Sequence, residues 1–261
     1  MLNYIQSELY RTFHRKYFYL ALIIAAGIGI AVNVVLGLMR ASGSLNGPID
    51  ASFPLNNITG IALSFVYPCM IIVVDCVFSE EYKHQTLKNL ISWGVSRPTI
   101  FFGKFITELI VALIALAAIF GCFLLSAILI LGMPQQDAAV VFGLFGQRLF
   151  LALPLFFWTL AISHLFAFII KNNTLFSFAS VGVFYVLPFL NNEFFARAWV
   201  ICQEIIPHLA YTRMMALAPY LETQLLPNFG SLCLEYWAAG LVRVAVCLAV
   251  GMFLFRRKEI K

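Results

Sequence analysis

Long apolar runs broken by short basic stretches set the pattern of this chain. A bilayer-crossing helix needs about 17–25 mostly apolar residues, and six stretches meet that need. They are 17–39, 58–78, 104–131, 149–170, 174–190 and 236–255. Asp75 closes the charge-free part of the second, Lys104 opens the third, and Glu108 sits in the first turn of the third. Arg243 interrupts the sixth. The runs lack the period-2 alternation of a membrane barrel. Hydrocarbon also requires each crossing segment to pair its own backbone groups. The predicted fold class is therefore all-α: a polytopic membrane protein with six transmembrane helices in one transmembrane domain, residues 1–261.

Three connecting stretches have a character of their own. In 1–16, Leu2, Ile5, Leu9 and Phe13 recur at helical spacing with Glu8, Arg11 and Arg15 between them, which predicts an amphipathic interfacial helix. The stretch 191–234 is long but not loop-like, because Phe194-Phe195, Trp199-Val200-Ile201 and Ile205-Ile206 are apolar. Pro207, Pro219 and Pro227 divide it, so it reads as short helical pieces at the outer face. The stretch 79–98 is polar and basic. Within it Leu87, Leu90 and Ile91 share one face of a short helix, Gly94 stops that helix, Ser96 is placed as an N-cap, and Pro98 suits the first turn of the next helix. This short helix either rests on lipid or docks a soluble partner, and the pattern alone leaves both open.

Composition agrees with a membrane protein. Of 261 residues, 62% are hydrophobic and 11% charged, and the mean hydropathy is +0.92. Soluble domains carry about twice that charge. The net charge of +5 is explained by orientation before nucleic acid. With a cytoplasmic N-terminus, twelve of the 17 Lys and Arg fall on the inner side and four, Arg40, Arg148, Arg197 and Arg213, on the outer. Both termini are thus predicted cytoplasmic in a multi-pass cell-membrane protein. Most of the six cysteines lie in apolar runs and read as small buried hydrophobes. Cys202 and Cys233 fall in the outer segment, where a disulfide between them is left open.

Motifs for chemistry are missing from the sequence. There is no phosphate-binding Gly-x-x-x-x-Gly-Lys-Ser/Thr, no His-Glu-x-x-His and no Gly-x-Ser-x-Gly. No catalytic residue, metal ligand or bound cofactor is assigned. Ionisable groups in lipid are the other pointer to function. Asp75 and Glu108 either snorkel or pair with Lys104, or make a polar contact that changes during transport. Arg243 should face the bundle interior or another subunit, as a structural donor or a substrate contact. His164 reads as a lone packed histidine. A membrane-embedded enzyme would have to build its site from Asp75, Glu108 and His164. An ATP-independent transporter would have no use for a docking loop.

The stretch around 80–104 carries a resemblance. Glu80-Glu81 after the second span, Thr86-Leu87-Lys88-Asn89-Leu90, Ser92, Gly94-Val95-Ser96-Arg97 and Gly103-Lys104 resemble the signature of the type-2 ABC permease family. Gln85 stands where many relatives have glycine, and Trp93 is bulkier than the small residue often found there. The resemblance implies an exporter-type membrane subunit whose coupling helix seats on a separate ATP-binding-cassette subunit. That partner would hold the ATP and Mg. Glu80, Glu81, Thr86, Leu87, Lys88, Leu90, Ile91, Gly94, Ser96 and Arg97 would form the docking region. A second permease half, identical or related, would complete the pathway. Small permeases of this kind resemble bacterial exporters of antimicrobial peptides, including lantibiotic immunity systems, and the Phe-rich spans suit a hydrophobic or amphipathic passenger.

Overall fold

The structure, a computed structural model, describes residues 1–43, 49–84, 86–135, 137–170, 173–182, 226 and 228–257. Every regular element in them is helical. In chain order they are α1 (Leu2–Phe13), α2 (Lys16–Ala41), a π-helical turn (Pro54–Ile58), α3 (Thr59–His84), α4 (Thr86–Ser92), α5 (Arg97–Leu131), α6 (Ala138–Ile169), α7 (Asn173–Val181) and α8 (Phe229–Arg257). Among the described residues, α2, α5, α6 and α8 are the four helices long and apolar enough to cross a membrane. α3 has 26 residues but a shorter apolar stretch, Pro68–Phe78. The expected fifth span is described only through α7. Residues 183–190, Cys202 and nearly all of 191–234 lie outside the described residues, whereas Cys233 is a free thiol within α8.

The helices overrun the expected boundaries. α5 starts at Arg97 rather than at 104, and α6 at Ala138 rather than at 149. The positions 79–84 of the expected loop complete α3. Charge misplaced these ends. Lys104 and Arg148 both lie inside helices and are fully buried. Lys104 Nζ is 3.2 Å from Glu8 Oε2 and donates to the Val77 carbonyl at 3.4 Å. Arg148 Nη1 donates to the carbonyls of Asn56, at 2.6 Å, and Leu55, at 3.4 Å, on the π-helical turn. Burial of such groups is tolerated because they are paired and hydrogen-bonded. Glu108 is accordingly well inside α5, not in its first turn.

Small residues and buried donors set the helix contacts. In lipid no hydrophobic force drives helices together, so close approach and polar joints carry more of the association. α2 lies along α5 through Gly29 and Gly37, where a Cβ at Gly37 would come within 2.7 Å of Ile130. Between them Asn33 Nδ2 donates to the Phe123 carbonyl at 3.0 Å and to Ser126 Oγ at 2.7 Å. α6 lies against α8, with Gly240 on Pro154 so closely that a Cβ would fall 2.5 Å from the proline ring.

The two ends of the bundle are built differently. One end gathers α1, the last turns of α3, α4, the start of α5 and the end of α8. There Arg97 Nη1 donates to the carbonyls of Phe255, at 3.0 Å, and Arg256, at 2.7 Å. α1 presents Ile5, Glu8 and Thr12 inward, and Leu2 is 76% exposed. Its buried face is thus rotated from the expected apolar stripe, because Glu8 is drawn in by Lys104 and by Arg11. At the opposite end Arg40 Nη1 donates to the Leu131 carbonyl at 2.7 Å. Asp50 there accepts from the Gln135 amide at 2.6 Å and the Ser52 amide at 2.8 Å.

Two outcomes follow from these contacts. Gly240→Ala should cost about 1–3 kcal/mol by overpacking and lower the thermal midpoint in mild detergent, with Gly146→Ala, where a Cβ meets nothing within 4 Å, as the control. Burial pushes the Asp50 carboxyl up, but the hydrogen bonds from Ser52 and Gln135 outweigh it and hold the carboxyl below the usual value near 3.8. With the folded pKa depressed, its stabilisation is present above that range and lost as pH falls through the folded value. Part of the acid dependence of the thermal midpoint should therefore disappear in Asp50→Asn.

Candidate functional site

The site is built at the end of the bundle where α3 hands over to α5. α3 runs unbroken through Glu80 and Glu81, and α4 follows within two residues. Thr86, Leu87 and Lys88 open α4; their side chains, and those of Glu80 and Glu81, lie outside what the structure describes. The end of α4 is a Schellman motif. Val95 N donates to the Leu90 carbonyl at 3.1 Å and Gly94 N to the Ile91 carbonyl at 3.0 Å. Gly94 sits at φ +83, a conformation glycine adopts without strain. Ser96 then caps α5, its Oγ accepting from Thr99 N at 3.4 Å, with Pro98 in the first turn.

The motif sorts the side chains of the turn into two sets. Leu90, Ile91 and Val95 are half-buried against the hydrophobic core. Asn89, Ser92, Trp93, Gly94 and Ser96 are exposed. Arg97 is half-buried and tied to the end of α8. The turn is therefore a rigid outward loop on an apolar base.

Beneath it α1 grips the last part of α3. Arg11 Nη2 donates to the Val77 carbonyl at 3.3 Å, Arg15 donates to the Cys76 carbonyl, and Lys104 bridges Val77 to Glu8. These bonds tie three elements together just before Ser79-Glu80-Glu81. In the sequence pattern Glu8, Arg11 and Arg15 only stand between the apolar positions of an amphipathic helix. The opposite charges of Glu8 and Lys104 were visible, but not their contact across 96 residues.

A second polar centre lies in the core. Glu108 on α5 and His164 on α6 are fully buried, and His164 Nδ1 lies 2.9 Å from both carboxyl oxygens. Phe78, Phe101, Phe105 and Phe168 surround the imidazole, with ring centroids 4.6–5.6 Å away. Glu108 thus neither snorkels nor makes Lys104 its hydrogen-bond partner, and His164 is not alone. A signal did exist. In antiparallel spans the two residues sit at similar depth from the same face, which is where two ionisable groups in lipid find each other.

The remaining candidates are dispersed. Asp75 is half-buried on α3, within electrostatic reach of Tyr17. Arg243 on α8 places its guanidinium 4.8 Å from the ring centre of Trp158 on α6. Between α2 and α3 an apolar groove of about 280 Å³ opens, lined by Leu20, Ile24, Ile28, Val66, Pro68 and Ile72 among others. Among the described residues no three His, Cys, Asp or Glu side chains come together as a metal site.

These features define a multi-pass helical membrane protein with a rigid polar turn at one end. A family model described as ABC-2 family transporter protein matches residues 4–189, and the chain belongs to that family. It is therefore a membrane permease component of an ABC transporter, and membership implies an ATP-binding-cassette ATPase subunit as partner. No curated protein matches the chain.

The core pair makes a direct prediction. Glu108→Leu or His164→Leu alone strands a buried polar partner and should cost about 1–3 kcal/mol or more. The double substitution should recover part of that loss, read as a coupling in the thermal midpoints of the four proteins.

Proposed function

We propose that this chain is one half of the permease of an ABC exporter, moving a hydrophobic or amphipathic substrate, such as an antimicrobial peptide, out across the cell membrane. The turn from Thr86 to Arg97 is the seat of the ATPase subunit. The observation that carries this reading is the Schellman-capped α4, presented outward between two long helices and clamped from beneath by α1. ATP binding and hydrolysis belong to the partner, because the sequence has no phosphate-binding loop. Both termini and α4 are cytoplasmic. Lys104 and Arg148 are buried and leave the loop tally, one from each side, so the basic excess beside α4 persists.

The substrate class rests on the lining of the membrane helices. The groove between α2 and α3 is apolar along its length, and Tyr17 stands at its margin. A passenger with an apolar body suits such a surface, and one with several charges does not. A second permease copy or a related chain supplies the other wall of the pathway.

The test is recovery of the partner. A tagged chain extracted gently from its native membrane should bring down, in near-equal amount, a protein with a Gly-x-x-x-x-Gly-Lys-Ser/Thr loop. Ser92→Asp, on the exposed side of the turn, should weaken that recovery. If no such protein comes down, even after crosslinking in the membrane, the docking assignment is wrong.

A further inference from the structure

We propose that Trp93 is the anchor by which this permease selects its ATPase subunit: it inserts into an apolar recess of that subunit rimmed by carboxylates. The inference rests on the docking role assigned to the α4 turn and adds the residue that carries affinity and the chemistry of the surface that receives it.

Trp93 is 79% exposed, while Trp158 is buried and Trp237 half-buried. It follows the last residue of α4, and its amide donates to the Asn89 carbonyl at 3.0 Å. The two bonds of the Schellman motif fix the backbone on either side, and Leu90, Ile91 and Val95 hold the base on the core. The indole is thus presented on a preorganised loop, which lowers the ordering cost of using it in an interface. Tryptophan is among the residues most enriched at binding hot spots.

Exposed apolar side chains approach this end of the bundle on two helices, Phe102 on α5 and Phe253 and Leu254 on α8, whose end is bonded to Arg97. Contact of the indole with the membrane interface is therefore the competing outcome, and the experiment separates the two.

The surroundings supply the charge. Arg97 is bonded to the end of α8, which places the exposed Arg256 and Arg257 at the same end of the bundle. Glu8, the acidic group of α1, is buried beneath. An exposed aromatic group four residues before Arg97, at the end of the bundle that carries Arg256 and Arg257, calls for an apolar recess with an acidic rim on the partner.

The experiment uses the ATPase subunit recovered with the tagged wild-type chain, purified and titrated onto the full-length permease in phosphatidylcholine nanodiscs. Trp93→Ala should weaken binding about 30-fold, or about 2 kcal/mol. Trp93→Phe should keep most of the affinity, and both variants should retain the wild-type thermal midpoint without the ATPase. In vesicles with brominated acyl chains, the fluorescence lost in Trp93→Phe should be the unquenched part. Wild-type affinity in Trp93→Ala overturns the anchor while leaving the docking turn in place. Quenching of the Trp93 signal by brominated lipid makes it a bilayer contact and also overturns it. Failure of the wild-type chain to bind any ATPase removes both readings.

Discussion

Donation from a polar side chain on one helix to a main-chain carbonyl on another is the interaction on which this bundle depends. Asn33 reaches Phe123, Arg40 reaches Leu131, Arg148 reaches Leu55 and Asn56, Lys104 reaches Val77, and Arg97 reaches Phe255 and Arg256. Lipid is as apolar as the side chains that face it, so burying a leucine between two helices gains little over leaving it in the bilayer. A carbonyl well inside a helix, as at Phe123 and Val77, already accepts one bond and has a second lone pair to offer, while that of Leu131, the last residue of α5, is an end group with no partner in its own helix. A long cationic or amide side chain that finds either is satisfied without breaking the helix. Such a bond also fixes axial register, which apolar contacts alone leave soft.

The joints are concentrated where the proposed docking turn meets the membrane helices. Cys76 and Val77 of α3 receive Arg15, Arg11 and Lys104, which come from the start of the chain and from α5. Arg97 at the other foot of the turn is fastened to α8. α4 thus stands on two helices that are each tied to a third. A load applied at the turn meets little slack before it reaches α3 and α5. The apolar base of Leu90, Ile91 and Val95 serves the same end, since it holds the turn to the core and leaves Trp93 outward.

The long apolar helices and the family signature were legible in the sequence, because apolar length and turn chemistry are local properties. Gly94 and Ser96 take their helix-stop and N-cap positions for that reason. Helix ends were less legible. A cation marks water only when it is hydrated. Lys104 and Arg148 are instead solvated by carbonyls and a carboxylate of neighbouring helices, and nothing local to them says so. Glu108 and His164 were each visible, yet their pairing is a long-range fact that depth-matching alone could have raised. The rotated face of α1 has the same origin: Glu8 counts as polar in any periodicity but is buried by a lysine 96 residues away.

Within α3 the clamped and unclamped parts differ. Below Phe78 the helix is gripped by α1 and α5. Above it stands Pro68, which has no N–H to donate and removes one rung of the backbone ladder. The helix is therefore softer at Pro68 than at the clamp. Pro68 also lines the apolar groove against α2, together with Cys69 and Ile72. Movement delivered at the proposed docking turn would travel through the stiff, tied portion and be taken up where the helix borders that groove. The proline thus places compliance beside the surface suited to an apolar passenger, and the carbonyl joints keep it from dissipating earlier.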